Sequence, residues 1–249
     1  MENNLKIHPS SNFAKNFNCA NNVVIYENVQ IGEDVSLGNN VVIYPDTVIE
    51  NNVVILDNCV IGKPPLFGRH SLNKALSANG LIIGGGVIIG TGSIIYRGSR
   101  IGNDVYIGDM VNLKENSLID DGVTIGKCVS LEYGVKVGTR TKIMACSQIT
   151  ENTEIGKFVF IGPDLSTCVD SFFGRKKDGS GKKINAAKNI IIGDKAMIGA
   201  RAVLAPGVKV GKNSLVGMGS VVVGNVPDGK VVFGNPAKVF SSVDKRLIL

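Results

Sequence analysis

Ile83-Gly-Gly-Gly-Val87-Ile-Ile89-Gly-Thr-Gly-Ser93-Ile-Ile95 opens a stretch, residues 83–165, that reads in sixes without a slip. An aliphatic residue begins each six, from Ile83 and Ile89 through Leu113, Leu131 and Val137 to Ile155 and Ile161. Four places after most openers stands a second small or branched residue, as at Val87, Ser93, Val105, Ser117, Thr141 and Leu165. Glycine often follows the opener, as at Gly84, Gly102, Gly126 and Gly156. A period this regular marks stacked repeats and takes precedence over local propensity.

Six-residue units with a turn between opener and second aliphatic cannot continue as one flat strand. The expected solution is a triangular prism: a short strand on each side, a corner every six residues, and three sixes per turn. Residues eighteen apart then stack. Strand spacing of about 4.8 Å makes roughly nine or ten coils a rod on the order of 45 Å long. Opener and second aliphatic both point inward, and the interior is too thin to hold a ligand. Any site must lie on an outer face or between copies of the prism.

Outward from this stretch the same phase runs back through Ile61, Ile43 and Ile25 to Ile7, more raggedly, and its first three sixes are expected to form an imperfect cap. Asn21-Asn22, Asn39-Asn40 and Asn51-Asn52 sit where a corner needs a left-handed residue. Two breaks interrupt the period. Lys63-Pro-Pro-Leu-Phe-Gly-Arg69-His70 is the first, since paired prolines cannot sit on a coil face. The second holds Phe172-Phe173-Gly174-Arg175-Lys176-Lys177 and Lys182-Lys183, a basic excursion with two aromatics. Binding residues concentrate on such loops. The period resumes from Ile192 to Val222. The expected plan is one domain over residues 1–249, with coils at about 7–62, 81–166 and 190–226. Loops span about 63–80 and 166–189, and a short irregular or helical cap covers 227–249.

The 31 glycines, 6% aromatics and absence of tryptophan fit a repeated coil with many tight corners. The formal charge of +6 comes without a basic block or interleaved aromatics, which reads as attraction for an anionic small molecule and not for nucleic acid. Cys19, Cys59, Cys128, Cys146 and Cys168 form no CxxC pair or zinc spacing. With a polar start and no long apolar run, the expectation is a cytoplasmic protein with no membrane partner. Gly84-Gly-Gly and Gly179-Ser-Gly-Lys lack the spacing of a phosphate-binding loop.

The repeated [Ile/Leu/Val]-Gly-x-x-[Val/Ser/Thr/Ala]-x resembles the hexapeptide-repeat acyltransferases over nearly the whole chain. The resemblance implies an all-β fold, a left-handed parallel β-helix, and a homotrimer. The ending, Ile198-Gly-Ala-Arg-Ala-Val-Leu-Ala-Pro-Gly and Gly234-Asn-Pro-Ala-Lys238, is similar to the family's coenzyme A segment. That implies acetyl-CoA or another acyl-CoA as co-substrate, with no tightly bound cofactor. It points to Gly199 or Ala200 as the oxyanion donor and to Lys238 at the adenine end. Lys182 and Lys183, with Lys176 and Lys177, are placed against phosphates as point charges. A narrower likeness covers Val159–Asp170 and Asn112-Leu-Lys-Glu115, similar to the N-acyltransferases of nucleotide-linked amino-deoxysugars. Of that branch's Thr-Asn-Asp only Asp170 is kept, beside Cys168 and Val169.

O-acylation calls for a strong base, usually histidine. The chain has only His8, in the ragged start, and His70, in the first excursion. Where many relatives have a central histidine, Glu132 stands here. Glu132 and Asp170 are therefore the candidates for steering an ammonium and taking its proton, with His70 the candidate base for a hydroxyl. Eighteen-residue stacking lines up Arg97, Glu115, Tyr133 and Glu151 as a polar wall for the acceptor, with Arg69 nearby in the excursion. A zinc site of three histidines across a trimer interface, which some relatives have, is poorly served by two histidines, one of them in the ragged start. The sequence thus points to an N-acyltransferase acting on a nucleotide-linked, dTDP-type amino-deoxysugar. O-acylation of a sugar or small alcohol, or a non-catalytic scaffold, are the alternatives.

Overall fold

The computed structural model describes residues 4–66, 68–69, 79–171, 189–244 and 246. The openers and the residues before them pair into strands, most of them two residues long, that return every six residues. These build three parallel sheets, the faces of a triangular solenoid. The first face holds 11 strands, from Lys6–Ile7 to Val221–Val222. The second holds 10, from Asn12–Phe13 to Lys209–Val210. The third holds 12, from Asn18–Cys19 through Leu215–Val216 to a terminal hairpin.

Stacking follows the eighteen-residue rule, as in Val24↔Val42, Tyr106↔Thr124 and Lys136↔Glu154. It is broken where excursions intervene, as at Val48↔Ile82 and Glu154↔Ile191, and again at the top, where Leu215↔Val231 and Val210↔Val226 are sixteen apart. Both excursions leave between a first-face and a second-face strand, so both emerge from the same edge of the prism.

The interior is the expected double column. Ile83, Val87, Ile89, Ile107 and Leu131 are 0% exposed. Each such side chain contributes about 1.5–3 kcal/mol by leaving water. The inward hydroxyls serve the backbone as well as saving space. Ser93 Oγ donates to the Gly108 carbonyl at 3.0 Å and accepts from the Val111 N–H at 3.1 Å.

Most corners turn on a left-handed residue three places after the opener. The asparagine pairs supply it with their second member: Asn22, Asn40 and Asn52 have φ of 58°, 57° and 59°. Met110, Cys128, Cys146 and Phe158 hold the same conformation without asparagine's tolerance for it.

The ends differ from expectation. The first three sixes form a complete coil in register with the next, with Phe13 and Phe17 stacked at 5.0 Å over the open bottom. At the top, the ending expected to be irregular or helical is a β-hairpin, because Lys230–Gly234 still finds a free sheet edge. That strand pairs parallel to Leu215–Val216, and Ala237–Ser242 folds back antiparallel on it. A Cβ on Gly217 would run into the Phe233 ring, so glycine is what lets the hairpin lie flat against the coil.

Candidate active site on two edges of the prism

The edge between the first and second faces carries most of the polar candidates, because both excursions and the residues just after first-face openers meet there. Tyr96 is 8% exposed, with Lys114 Nζ 4.5 Å and Lys63 Nζ 5.5 Å from its ring centre. One coil above Lys114, the half-buried Glu132 accepts from Ser130 Oγ at 3.2 Å. Glu115 is 7% exposed, and its Oε2 has no donor; the Oδ1 of nearby Asn112 is likewise buried without one. Buried acceptors without partners are costly, so two of them beside two lysines suit a ligand that donates hydrogen bonds.

Arg97 and Glu115 share this column but do not pair. The chain returns from the first excursion directly beneath Arg97. Its Nε therefore donates to the Asn79 carbonyl at 3.4 Å, and its guanidinium meets Asp46 at 3.5 Å. Tyr133 and Glu151 continue the column, both half-buried. Asp170 lies on the same edge but two coils above Glu132, on the order of 10 Å along the axis. The two carboxylates therefore do not form one acid–base pair. Arg69 is exposed. His70, Lys182 and Lys183 lie outside the described residues. His8 is on the first coil, its Nδ1 2.9 Å from Ser10 Oγ.

The edge between the third and first faces carries the donor-side candidates. Gly199 is not a free oxyanion donor: its N–H is spent on the Val216 carbonyl at 2.7 Å, as stacked coils require. Ala200 differs. Two residues after an opener the N–H points along the corner, and lower coils cap it with an Asn or Asp from the coil above. Asn39 Oδ1 accepts from Asn21 N–H at 3.1 Å, and Asp109 Oδ1 from Thr91 N–H at 2.9 Å. Above Ala200 the equivalent position is Met218, and the Ala200 N–H is left without such a cap.

The pattern reading missed a groove of about 490 Å³ across the third face beside this corner. Phe160, Met197 and Leu215 form its floor, Met218 its corner rim, and Phe233 of the hairpin its upper wall. The signal was present in the outward positions preceding Ile161, Ile198 and Val216, which are apolar where solvent-facing strands usually alternate to polar. Lys238 projects from the hairpin, exposed. Among the described residues no group of three or more His, Cys, Asp or Glu side chains could hold a metal, and no helix is long and apolar enough to cross a membrane.

Comparison with known families agrees with this architecture. The bacterial transferase hexapeptide (six repeats) family matches residues 28–63, and the hexapeptide repeat of succinyl-transferase matches residues 189–223. These two segments, with the three-sheet solenoid that contains them, give the chain the hexapeptide-repeat architecture. It is 57% identical over 56 residues to 2,3,4,5-tetrahydropyridine-2,6-dicarboxylate N-acetyltransferase of Clostridium perfringens, covering 22% of this chain and 24% of that one. It is 33% identical over 152 residues to the bifunctional protein GlmU of Streptococcus agalactiae, covering 56% of this chain and 31% of the relative. The chain thus spans under a third of the length of these curated relatives. Among solved structures, LpxA from Acinetobacter baumannii aligns over 97% of this chain and 73% of its own, with a TM-score of 0.48 and 16% identity.

Proposed function

We propose that the protein is an acyltransferase that takes an acyl group from a coenzyme A thioester and delivers it to a small acceptor. The observation that carries this reading is the uncapped corner at Ala200 and Met218 opening onto an apolar groove. A pantetheine arm alternates amide carbonyls with methylene runs, so it suits the free N–H of Ala200 next to a groove that Gly199 and Met218 line together with Phe160, Met197 and Leu215.

The acceptor is inferred from the other edge. The carboxylates of Glu115 and Glu132 steer an ammonium, and one of them takes its proton. The amine lone pair then attacks the thioester carbonyl. The tetrahedral oxyanion collapses, the nitrogen's second proton passes to the departing sulfur, and the coenzyme leaves as thiol, with no acyl-enzyme formed. A nucleotide-linked amino sugar supplies both the amine and the hydrogen-bond donors that Asn112 and Glu115 lack. The two edges flank the first face, so one copy cannot bring both to a single acceptor. A homotrimer of prisms sets one edge of each copy against the other edge of its neighbour. The first face suits that contact: its outward column is apolar at Val24, Val42, Val60 and Ile94 and again at Val203 and Val221, whereas the second face exposes Arg100, Lys136, Glu154 and Lys209.

The test is thiol release from acetyl-CoA and longer acyl-CoAs with nucleotide-linked amino sugars and their hydroxyl analogues. We expect turnover with amines that falls about 100-fold or more in Glu115→Gln, the usual scale for losing a proton-transfer group. Turnover with hydroxyl acceptors alone would replace the amine by the O-acyl reading with His70 as base. A protein that binds no acyl-CoA would be a scaffold.

A further inference from the structure

We propose that Cys128 and Cys146 form a thiol–disulfide modification site on the edge between the third and first faces. Both are free and exposed, and both occupy the left-handed corner position, with φ of 57° and 61°. They lie on adjacent coils in one column. Their flanking strands pair Thr124↔Lys142 and Ile125↔Ile143, and the Cys146 N–H donates to the Lys127 carbonyl at 2.9 Å.

Other members of this column show how close such side chains come. Asn22 Nδ2 donates to Asn40 Oδ1 at 3.1 Å, and Asn40 Nδ2 to Asn58 Oδ1 at 3.0 Å. Further up, Asp164 and Arg201 form an ion pair at 3.6 Å. The column therefore aims each side chain at its neighbour one coil away. A Cα separation of about 4.8 Å between stacked strands falls within the range a disulfide accepts. The other cysteines lack this pairing. Cys59 is 0% exposed, its Sγ bonded to the Gly90 carbonyl at 3.1 Å, and burial pushes its thiol up. Cys168 follows a first-face strand on the way to the opposite edge.

The co-reactant is a small disulfide such as oxidised glutathione. One cysteine thiolate attacks it, forming a mixed disulfide and releasing one glutathione thiolate. The second thiolate attacks the protein sulfur of that adduct, forming the Sγ–Sγ bond and releasing the other glutathione. The two protons end on the two glutathione thiols, and the two electrons lost by the cysteines reduce the small disulfide.

The test uses the full-length reduced protein, treated with oxidised glutathione, alkylated and unfolded. We expect the titratable thiols to fall from five to three, with one linked peptide pair joining Cys128 to Cys146 and reversal by dithiothreitol. Cys146→Ser is expected to retain a glutathione adduct on Cys128 and form no cross-link. Separate adducts on both cysteines, no reaction at either, or a link between two chains on a non-reducing gel would overturn the proposal.

Discussion

Two corners at the same height of the prism are built from the same backbone but different side chains. Where the second face meets the third, caps recur to the top, though Asp121, Thr139 and Asp194 carry none on their own N–H: Asp194 Oδ1 accepts from Lys157 N–H at 3.0 Å, and Asp228 Oδ1 from Lys212 N–H at 2.9 Å. Where the third meets the first, the same positions hold Lys127, Ala145, Pro163, Ala200 and Met218. In its lower half this second corner is capped like the first, by Asn39, Asp57 and Asp109. The difference is therefore local to the upper coils. Gaps such as Asp121 and Thr139 occur on the other corner too, so what sets this edge apart is an unbroken run without caps above Thr91. Losing them on one edge, next to an apolar groove, marks the edge that gives up protein partners for a ligand.

This comparison can be broken in three places. Both corners share one core, so Ile143→Ala, at a side chain 0% exposed, should cost about 2–5 kcal/mol. Urea unfolding should show one cooperative loss; separate melting of the two edges would mean that they are not held by a common core. Next comes Met218→Asp, which restores the missing cap. It should raise the KM for acyl-CoA about 2–10-fold, the scale of one hydrogen bond, while thermal stability holds or rises. An unchanged KM would remove Ala200 from the donor site. Smallest is Asp194→Ala on the other corner, expected to lower stability by about 1 kcal/mol with no change in KM. A shift in KM there would show that the capped corner also serves the ligand.

Much of this was legible because the period is short and each repeat contacts only its neighbours. Ile83, Ile89 and Ile95 predict their own burial, and Asn22, Asn40 and Asn52 their own conformation. The corner caps were legible in principle, since Asn and Asp two places after an opener are visible letters. Reading who caps whom above Ile161 required knowing that Ile198, across the second excursion, resumes on the same face. Simple eighteen-residue counting fails across the excursion, so Ala200 above Pro163 went unseen. Arg97 misled for a related reason: its column neighbour Glu115 is in sequence register, but Asn79 and Asp46 reach it first across the first excursion.

The sequence by itself determined the prism, its three sheets and its inward columns, because a six-residue period leaves the backbone one way to bury every opener. It could not decide which edge each excursion leaves, that Gly199 spends its N–H on the coil above, or that the tail closes the third face as a hairpin. Those depend on contacts between residues whose separation the insertions reset, and only the folded chain places them together.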